Sequence, residues 1–528
     1  MRPFLKFMVF LGLLSGIIGC RYAIRHGFRQ DYKDTGALMH ADSLNKTFLK
    51  AHMRNGDLYI FTGAWAMTND KTEVTGDAVW YDFKRSYKGR KTYSVPVADV
   101  AIYETNEPIK NKDAVRITAL AIVTGADLAG DLYCALNPKA CFGSCPTFYY
   151  KQEGNVNYAN AEGFSSAISP ALEEDDIDAL NNAERTGGAF ELTMKNEALE
   201  THAVNQVAIY AAPRRAGHRI FNTKDGSFYD CSGLKELTMA TAGGKDITAE
   251  LSNADEREYY STTDSNDLGK KETIELTFAN DAGEGGRGLV LNFRQTLVTT
   301  FLLYTAYGYM GDAAGDLFAM MENSSLVRRK AKNPYELMGG IDIEVYNERG
   351  AWQKVRTIYE TGPIARNLQY VALPQGVAKQ KQVKVRLVAA KGCWRIDYAA
   401  LATGAQQVEP VKVHPTRVVK NGADDSDALS RLAGDDDAYE TSLPGDRYRL
   451  FFQLPSGDDD YEVFVYSKGY YLEWIRKEWL KEKDLPALGR MLRNDAAQWQ
   501  VLARQYKQVE GKMEATFWSS KISGSVTK

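Results

Sequence analysis

The sequence predicts a mainly β protein with α additions, an α+β chain of several β-sandwich or barrel-like modules closed by a C-terminal helical segment. Three observations predict it. Thirty tyrosines and forty-four glycines fit many strands and turns. Short β-rich runs recur, broken by Asn55-Gly56, Thr75-Gly76, Lys88-Gly89 and Asp225-Gly226. From Tyr471 onward, Leu472, Ile475, Trp479 and Leu480 recur at helical spacing.

The elements follow in order. Residues 1–19 form a basic start and an apolar stretch, and residues 20–54 read as a polar tether with one short helix. Residues 55–110 form a small β domain from LYIFTGAWAM, TEVTGDAVWYDF and VPVADVAIYE. Trp65 and Trp80 fill its interior or one face, with a sugar-stacking platform as the functional alternative. Residues 111–235 form a Cys-containing α+β region. It opens with a small apolar helix over 114–133 and carries an acidic run, Glu173 to Asp178, that resembles the start of a helix. Residues 236–402 read as a β-sandwich with one buried apolar segment, Thr296 to Met310. Residues 403–528 form an α+β C-terminal region. Its first part, 403–436, reads as a linker or long loop, Pro486 opens a short helix, and Trp499 to Trp518 carries a third amphipathic pattern.

The first twenty residues, MRPFLKFMVFLGLLSGIIGC, place Arg2 and Lys6 before an apolar run that is too short to span a bilayer. With Ile17-Ile18-Gly19-Cys20 they resemble the signal and lipobox of bacterial lipoproteins. The resemblance implies cleavage before Cys20 and diacylation of its thiol, each buried methylene then contributing about 0.8 kcal/mol to membrane attachment. Arg21 stands where an aspartate would imply inner-membrane retention, and Arg25, His26 and Arg29 make the tether basic. The expected location is therefore the outer membrane, lipid-anchored and facing the periplasm.

The chain has 528 residues, 44% hydrophobic and 25% charged, with a net charge of -3. That length suits several domains, and that charge offers no basic field to nucleic acid. Beyond Cys20 the cysteines are Cys134, Cys141, Cys145, Cys231 and Cys393. Five is odd, so one thiol remains over in an oxidising compartment, and Cys393 in the apolar CWRIDY run is the natural candidate.

The segment CFGSCPTFYY, Cys141 to Tyr150, resembles a Cys-x-Gly-x-Cys-Pro segment of uncharacterised bacterial envelope proteins. The strand group from NEALETHAVNQVAIYAAP to CWRIDYAAL resembles a β-rich module attached to other such proteins. Neither resemblance implies a reaction.

Cys141 and Cys145 form the best local constellation. Three residues with a glycine between them can close a small disulfide loop, which leaves Cys134 and Cys231 as candidates for a second bridge. A redox pair would want two intervening residues at a helix N-terminus, and a zinc site would want a second close pair. Glu200-Thr201-His202 offers a catalytic pair, but strand neighbours point to opposite faces, so His202 reads as a hydrogen-bonded strand or turn residue. Gly283, Gly285 and Gly288 match G-x-G-x-x-G. A strand follows them, where dinucleotide binding needs a helix, so they read as a hairpin loop. Asp424, Asp425, Asp427 and Asp435 to Asp437 read as solvated loop charge.

No zincin motif, nucleophile elbow or Walker loop occurs. No catalytic residue, cofactor or metal site is therefore expected. The expected role is a membrane-anchored envelope lipoprotein that binds or scaffolds an envelope protein or glycan. The alternatives are a periplasmic thiol-disulfide protein using Cys141 and Cys145, or a cell-envelope hydrolase with an unmarked site.

Overall fold

A computed structural model describes residues 28–30, 49–53, 57–81, 87–105, 145–152, 156–183, 188–198, 200–281, 285–314, 317–318, 321, 325–331, 337–359, 362–435, 439–442, 445–455, 460–473, 479 and 482–519. The chain is mainly β, with a minority of helix and a C-terminal helix. Five sheets carry the described strands.

Sheet 1 is N-terminal and takes the spatial order Phe28–Gln30, Val100–Thr105, Leu49–Met53, Leu58–Met67, Glu73–Tyr81, Tyr87–Pro96. Two of these strands lie inside the segment read as a tether. Its core is its own: Leu49, Ala51, Phe61, Trp65, Val74, Ala78, Val95 and Val100 pack together. The last strand turns through Val97–Asp99 directly into Val100–Thr105, near the other end of the spatial order, so the sheet curls around that core.

Sheet 2 contains Thr147–Gln152, Val156–Glu162 and Ala189–Lys195 together with Arg417–Lys420, Ala423–Asp424 and Arg447–Gln453. Sheet 3 pairs Glu200–Arg214 with Asp460–Glu473 along their whole length, flanked by Glu174–Ala179, Val411–Val413 and Glu440–Ser442. Strands far apart in sequence thus interleave. The apolar faces of sheets 2 and 3 share one core, which includes Phe148, Leu192, Val207, Ile209, Leu450 and Val465.

Sheet 4 orders Phe228–Cys231, Arg219–Asn222, Asn367–Ala372, Gly286–Gln295, Trp394–Val408 and Gly233–Lys235. The pairing of Phe228–Cys231 with Trp394–Val408 closes five of its strands into a barrel. Sheet 5 orders Lys245–Asp246, Leu237–Ala242, Lys271–Ala279, Gln382–Ala390, Ile341–Tyr346 and Trp352–Ile358. Alternation decides what each strand touches. Leu289, Leu291 and Phe293 join the core shared with sheet 5, while Val290 between them joins the core shared with sheet 3. Strands buried on both sides read as nearly continuous apolar runs, as in HAVNQVAIYAAP.

Six described helices complete the chain: α1 (Thr248–Leu251), α2 (Val298–Met310), α3 (Ser325–Ala331), α4 (Ser426–Ala433), α5 (Leu485–Met491) and α6 (Ala496–Ser519). The buried apolar segment is α2, and Pro486 lies in the first turn of α5 behind the Asp484 cap. On α6, Trp499, Leu502, Ala503 and Tyr506 recur at helical spacing and enter the core of sheets 4 and 5.

Several local expectations are corrected. The acidic run is a strand, because it pairs with Asp460–Glu473 and its inward carboxylates find partners: Glu174 accepts from Ser166, Asp176 pairs with Lys224 at 3.4 Å, and Asp178 accepts from Glu162 N at 2.9 Å. Residues 403–435 are no linker but strands followed by α4, capped by Asp425, which accepts from Ala428 N at 2.8 Å. Asp424 pairs with Arg417 at 2.6 Å and Asp435 with Lys468 at 2.7 Å, so those charges are ion-paired rather than only solvated. Tyr471 and Leu472 continue a strand, since they pair with His202 and Thr201 respectively. The Gly285 turn is not a hairpin, because the strand before it belongs to sheet 5 and the strand after it to sheet 4. The apolar 114–133 segment lies outside the described residues.

Candidate functional site

Cys145 lies two residues before the strand Thr147–Gln152 with a positive φ of 73°, an unusual conformation for a side chain with a Cβ. Its backbone N–H donates to the Glu200 carboxylate. Its sulfur lies 3.1 Å from Ser165 Oγ and 3.6 Å from Glu162 Oε1. The other oxygen of Glu162 accepts from Ile364 N at 2.7 Å and Ala365 N at 3.1 Å.

Glu200 and His202 stand two apart on one strand and therefore share a face. His202 Nε2 lies 2.7 Å from Glu200 Oε1, and both side chains are 0% exposed. The objection that strand neighbours diverge applies to Thr201 and not to this pair. The i, i+2 spacing was the available signal. What the spacing could not show is that Cys145, fifty-five residues earlier, donates to the same carboxylate oxygen.

The cluster has the residue types of a cysteine-centred active site, but not the access. Cys145 is 1% exposed, and the imidazole bonds to Glu200. Glu162 and Glu200 each accept backbone N–H bonds, as buried carboxylates commonly do. Here they tie the Cys145 corner to sheet 3 and to the 362–365 loop.

The remaining sequence-marked sulfurs separate. Cys20, Cys134 and Cys141 lie outside the described residues. Among the described residues no disulfide closes. Cys231 and Cys393 are buried thiols, each pushed up to about 12 by burial, with Asp230 adding to the effect at Cys231. Among the described residues no group of three or more His, Cys, Asp or Glu is placed to hold a metal ion.

Among the described residues, solvent-open cavities lie on sheets 5 and 1. A cleft of about 610 Å³ lies along sheet 5, lined by Gly243, Tyr259, Ser261, Lys271, Glu272 and Lys391, among others. Tyr259 and Ser261 both donate to Glu272, at 3.1 and 2.5 Å. Lys270 on its rim is held by Asp264 at 2.6 Å. Lys271 donates to Met338 O, and burial lowers its pKa. Lys391 is half-buried at the cleft. A second pocket, of about 320 Å³, lies on sheet 1 beside Asp57 and Tyr59.

No known protein family and no curated protein matches the sequence. Among solved structures, the chain aligns to the secreted serine protease VesC from Vibrio cholerae with 10% identity and a TM-score of 0.12. That alignment covers 67% of this chain and 63% of the protease. A likeness at that score carries no argument about fold or activity.

Proposed function

We propose that this chain is an exported envelope lipoprotein, held by acylated Cys20 at the outer membrane and facing the periplasm, whose β-rich modules bind an envelope polymer rather than transform one. Sheets 2 and 3, and sheets 4 and 5, act as sandwich-like modules that present this surface. One contrast carries the reading: Cys145, Glu200 and His202 are closed off, while the accessible 610 Å³ cleft is lined by three lysines and several hydroxyls, with Glu272 and Glu275 beside them. A cleft of that size suits a ligand of several rings or residues. Its lysines suit a ligand bearing carboxylates, such as the peptide-substituted glycan of a cell wall. Thiol exchange would need a sulfur at the surface, which Cys145 does not supply.

The test has two arms. Metabolic labelling with an alkynyl fatty acid should mark the wild type and not Cys20→Ala. Absence of label on the wild type refutes the anchor. Purified muropeptides should bind the mature protein without release of fragments. Lys391→Glu should weaken that binding about tenfold, and added salt should weaken the wild type in the same direction. Fragment release, or indifference to both salt and Lys391→Glu, refutes the binding reading.

A further inference from the structure

Tyr59 lines the sheet 1 pocket, and Trp80 and Tyr93 contact it on the neighbouring strands; Tyr59 and Tyr93 pack against the edge of the sheet 1 core without being sealed into it. Trp65, on the same sheet, is 3% exposed and belongs to the core. Trp80, Tyr59 and Tyr93 are each half-buried instead. They come from three adjacent strands and share one face. Tyr59 is directly opposite Trp80, Trp80 is opposite Gly89, and Tyr93 is opposite Gly76. The two facing glycines leave the space above the sheet to the rings.

Tyr59 and Trp80 are nearly parallel, at 9°, with centroids 5.9 Å apart. That separation is in the range of offset rather than face-to-face stacking. The rings therefore form a stepped surface rather than a closed stack. Tyr93 stands edge-on to both, at 65° and 74°. The Trp80 indole N–H donates to Asp57 at 3.0 Å, which fixes the ring. Asp57, Ser94 and Asp99 then place oxygen atoms along the adjoining 320 Å³ pocket, which Tyr59 also lines.

Apolar ring faces bordered by hydrogen-bond acceptors match the chemistry of a pyranose. Its axial C–H faces are apolar, and its equatorial hydroxyl or amide groups donate at the rim. Lys91 lies over the Tyr93 ring at 5.2 Å, but Asp57 and Asp99 place two carboxylates on the pocket itself, which disfavours an acidic sugar there by like-charge repulsion. We propose that sheet 1 is a saccharide-binding module for neutral gluco-configured sugars or their N-acetylated amino sugar relatives, with Tyr59, Trp80 and Tyr93 as the stacking surface and Asp57 and Asp99 as hydroxyl acceptors. The site is separate from the lysine cleft. The proposal rests on the binding reading above only in assuming that the chain meets envelope glycan.

The probes are chitotetraose and cellotetraose, titrated into the mature full chain and followed by calorimetry and tryptophan fluorescence, with a galacturonate tetramer as the acidic control. At least one neutral probe should bind at micromolar to millimolar concentration, with a change in tryptophan emission, and the acidic control should not. Trp80→Ala and Tyr93→Ala should each lose tenfold or more, Asp57→Asn several-fold, and Lys391→Glu nothing. Should Trp80→Ala fail to fold, Tyr93→Ala and Asp57→Asn carry the same test. Failure of both neutral probes to bind the wild type overturns the proposal, as does wild-type affinity in Tyr93→Ala and Asp57→Asn. Muropeptide binding that persists through Lys391 under those outcomes shows that only the saccharide site has failed.

Discussion

The docking of helix α6 offers the sharpest test of how this fold is held together. Glu514 is 7% exposed and engages partners through both oxygens, the Tyr506 hydroxyl among them at 3.4 Å. One oxygen accepts from Leu297 N at 2.7 Å, at the start of α2, and the other pairs with Arg395 at 2.8 Å. Arg395 also reaches Glu258 at 3.2 Å, and Glu258 already holds the buried Arg294 at 2.6 Å. Glu514→Ala would therefore remove one of the carboxylates that hold Arg395, and leave a buried amide without its acceptor. Breaking one side of a buried ion pair costs about 3–5 kcal/mol. The lost amide bond overlaps with that figure and does not simply add to it. Because both partners are nearly sealed from solvent, screening reduces the effect little. We expect Glu514→Ala to lower stability by about 3–5 kcal/mol, read by urea unfolding, with faster hydrogen exchange in α6. Glu514→Leu combined with Arg395→Met should recover most of the loss, since no buried charge is then left alone at that contact. A change under about 0.5 kcal/mol with unaltered exchange in α6 would refute the reasoning.

Three further outcomes can be checked. Burial raises the Asp397 carboxyl from its ordinary 3.8 to about 6, and Glu258 adds to the rise. The folded state therefore holds that proton where the unfolded state releases it. This contribution is complete below pH about 4 and falls away as pH rises to about 6. Asp397→Asn should flatten that part of a stability–pH curve, and an unchanged slope would count against the assignment. Cys231 and Cys393 should resist iodoacetamide in the native protein and react after denaturation, as peptide mass mapping will show. Native labelling of either would mean that the sheet 4 and sheet 5 cores open readily. Asp425→Ala removes the cap of α4 and should cost about 0.5–2 kcal/mol in thermal unfolding, whereas Asp427→Ala in the same helix should cost less.

The acidic residues show where reading along the chain stopped. Glu173 to Asp178 resembles a helix start because local sequence reports charge and propensity, not the partner across a sheet. In the structure Asp178 meets the amide of Glu162 and Asp176 meets Lys224. The aromatic residues divide in the same way. Trp65 and Trp80 carry the same side chain on neighbouring strands, and only the curl of sheet 1 separates a core residue from a half-exposed one. At the Cys145 corner the i, i+2 relation of Glu200 and His202 was visible, but the convergence of Cys145 and Glu162 on it was not.

Composition, turn dipeptides and residue spacing were enough by themselves to establish a β-rich chain with terminal helices, the Asp225-Gly226 turn, and a strand rather than a helix after Gly288. These are short-range properties, set by steric limits on φ and ψ and by periods of two and 3.6 residues. Only the tertiary structure decided that strands from 147–214 interleave with those from 411–473, that carboxylates lie buried beside Cys145, and which surfaces remain open. Such pairings depend on burial summed over residues hundreds of positions apart, and no local window contains both halves of that sum.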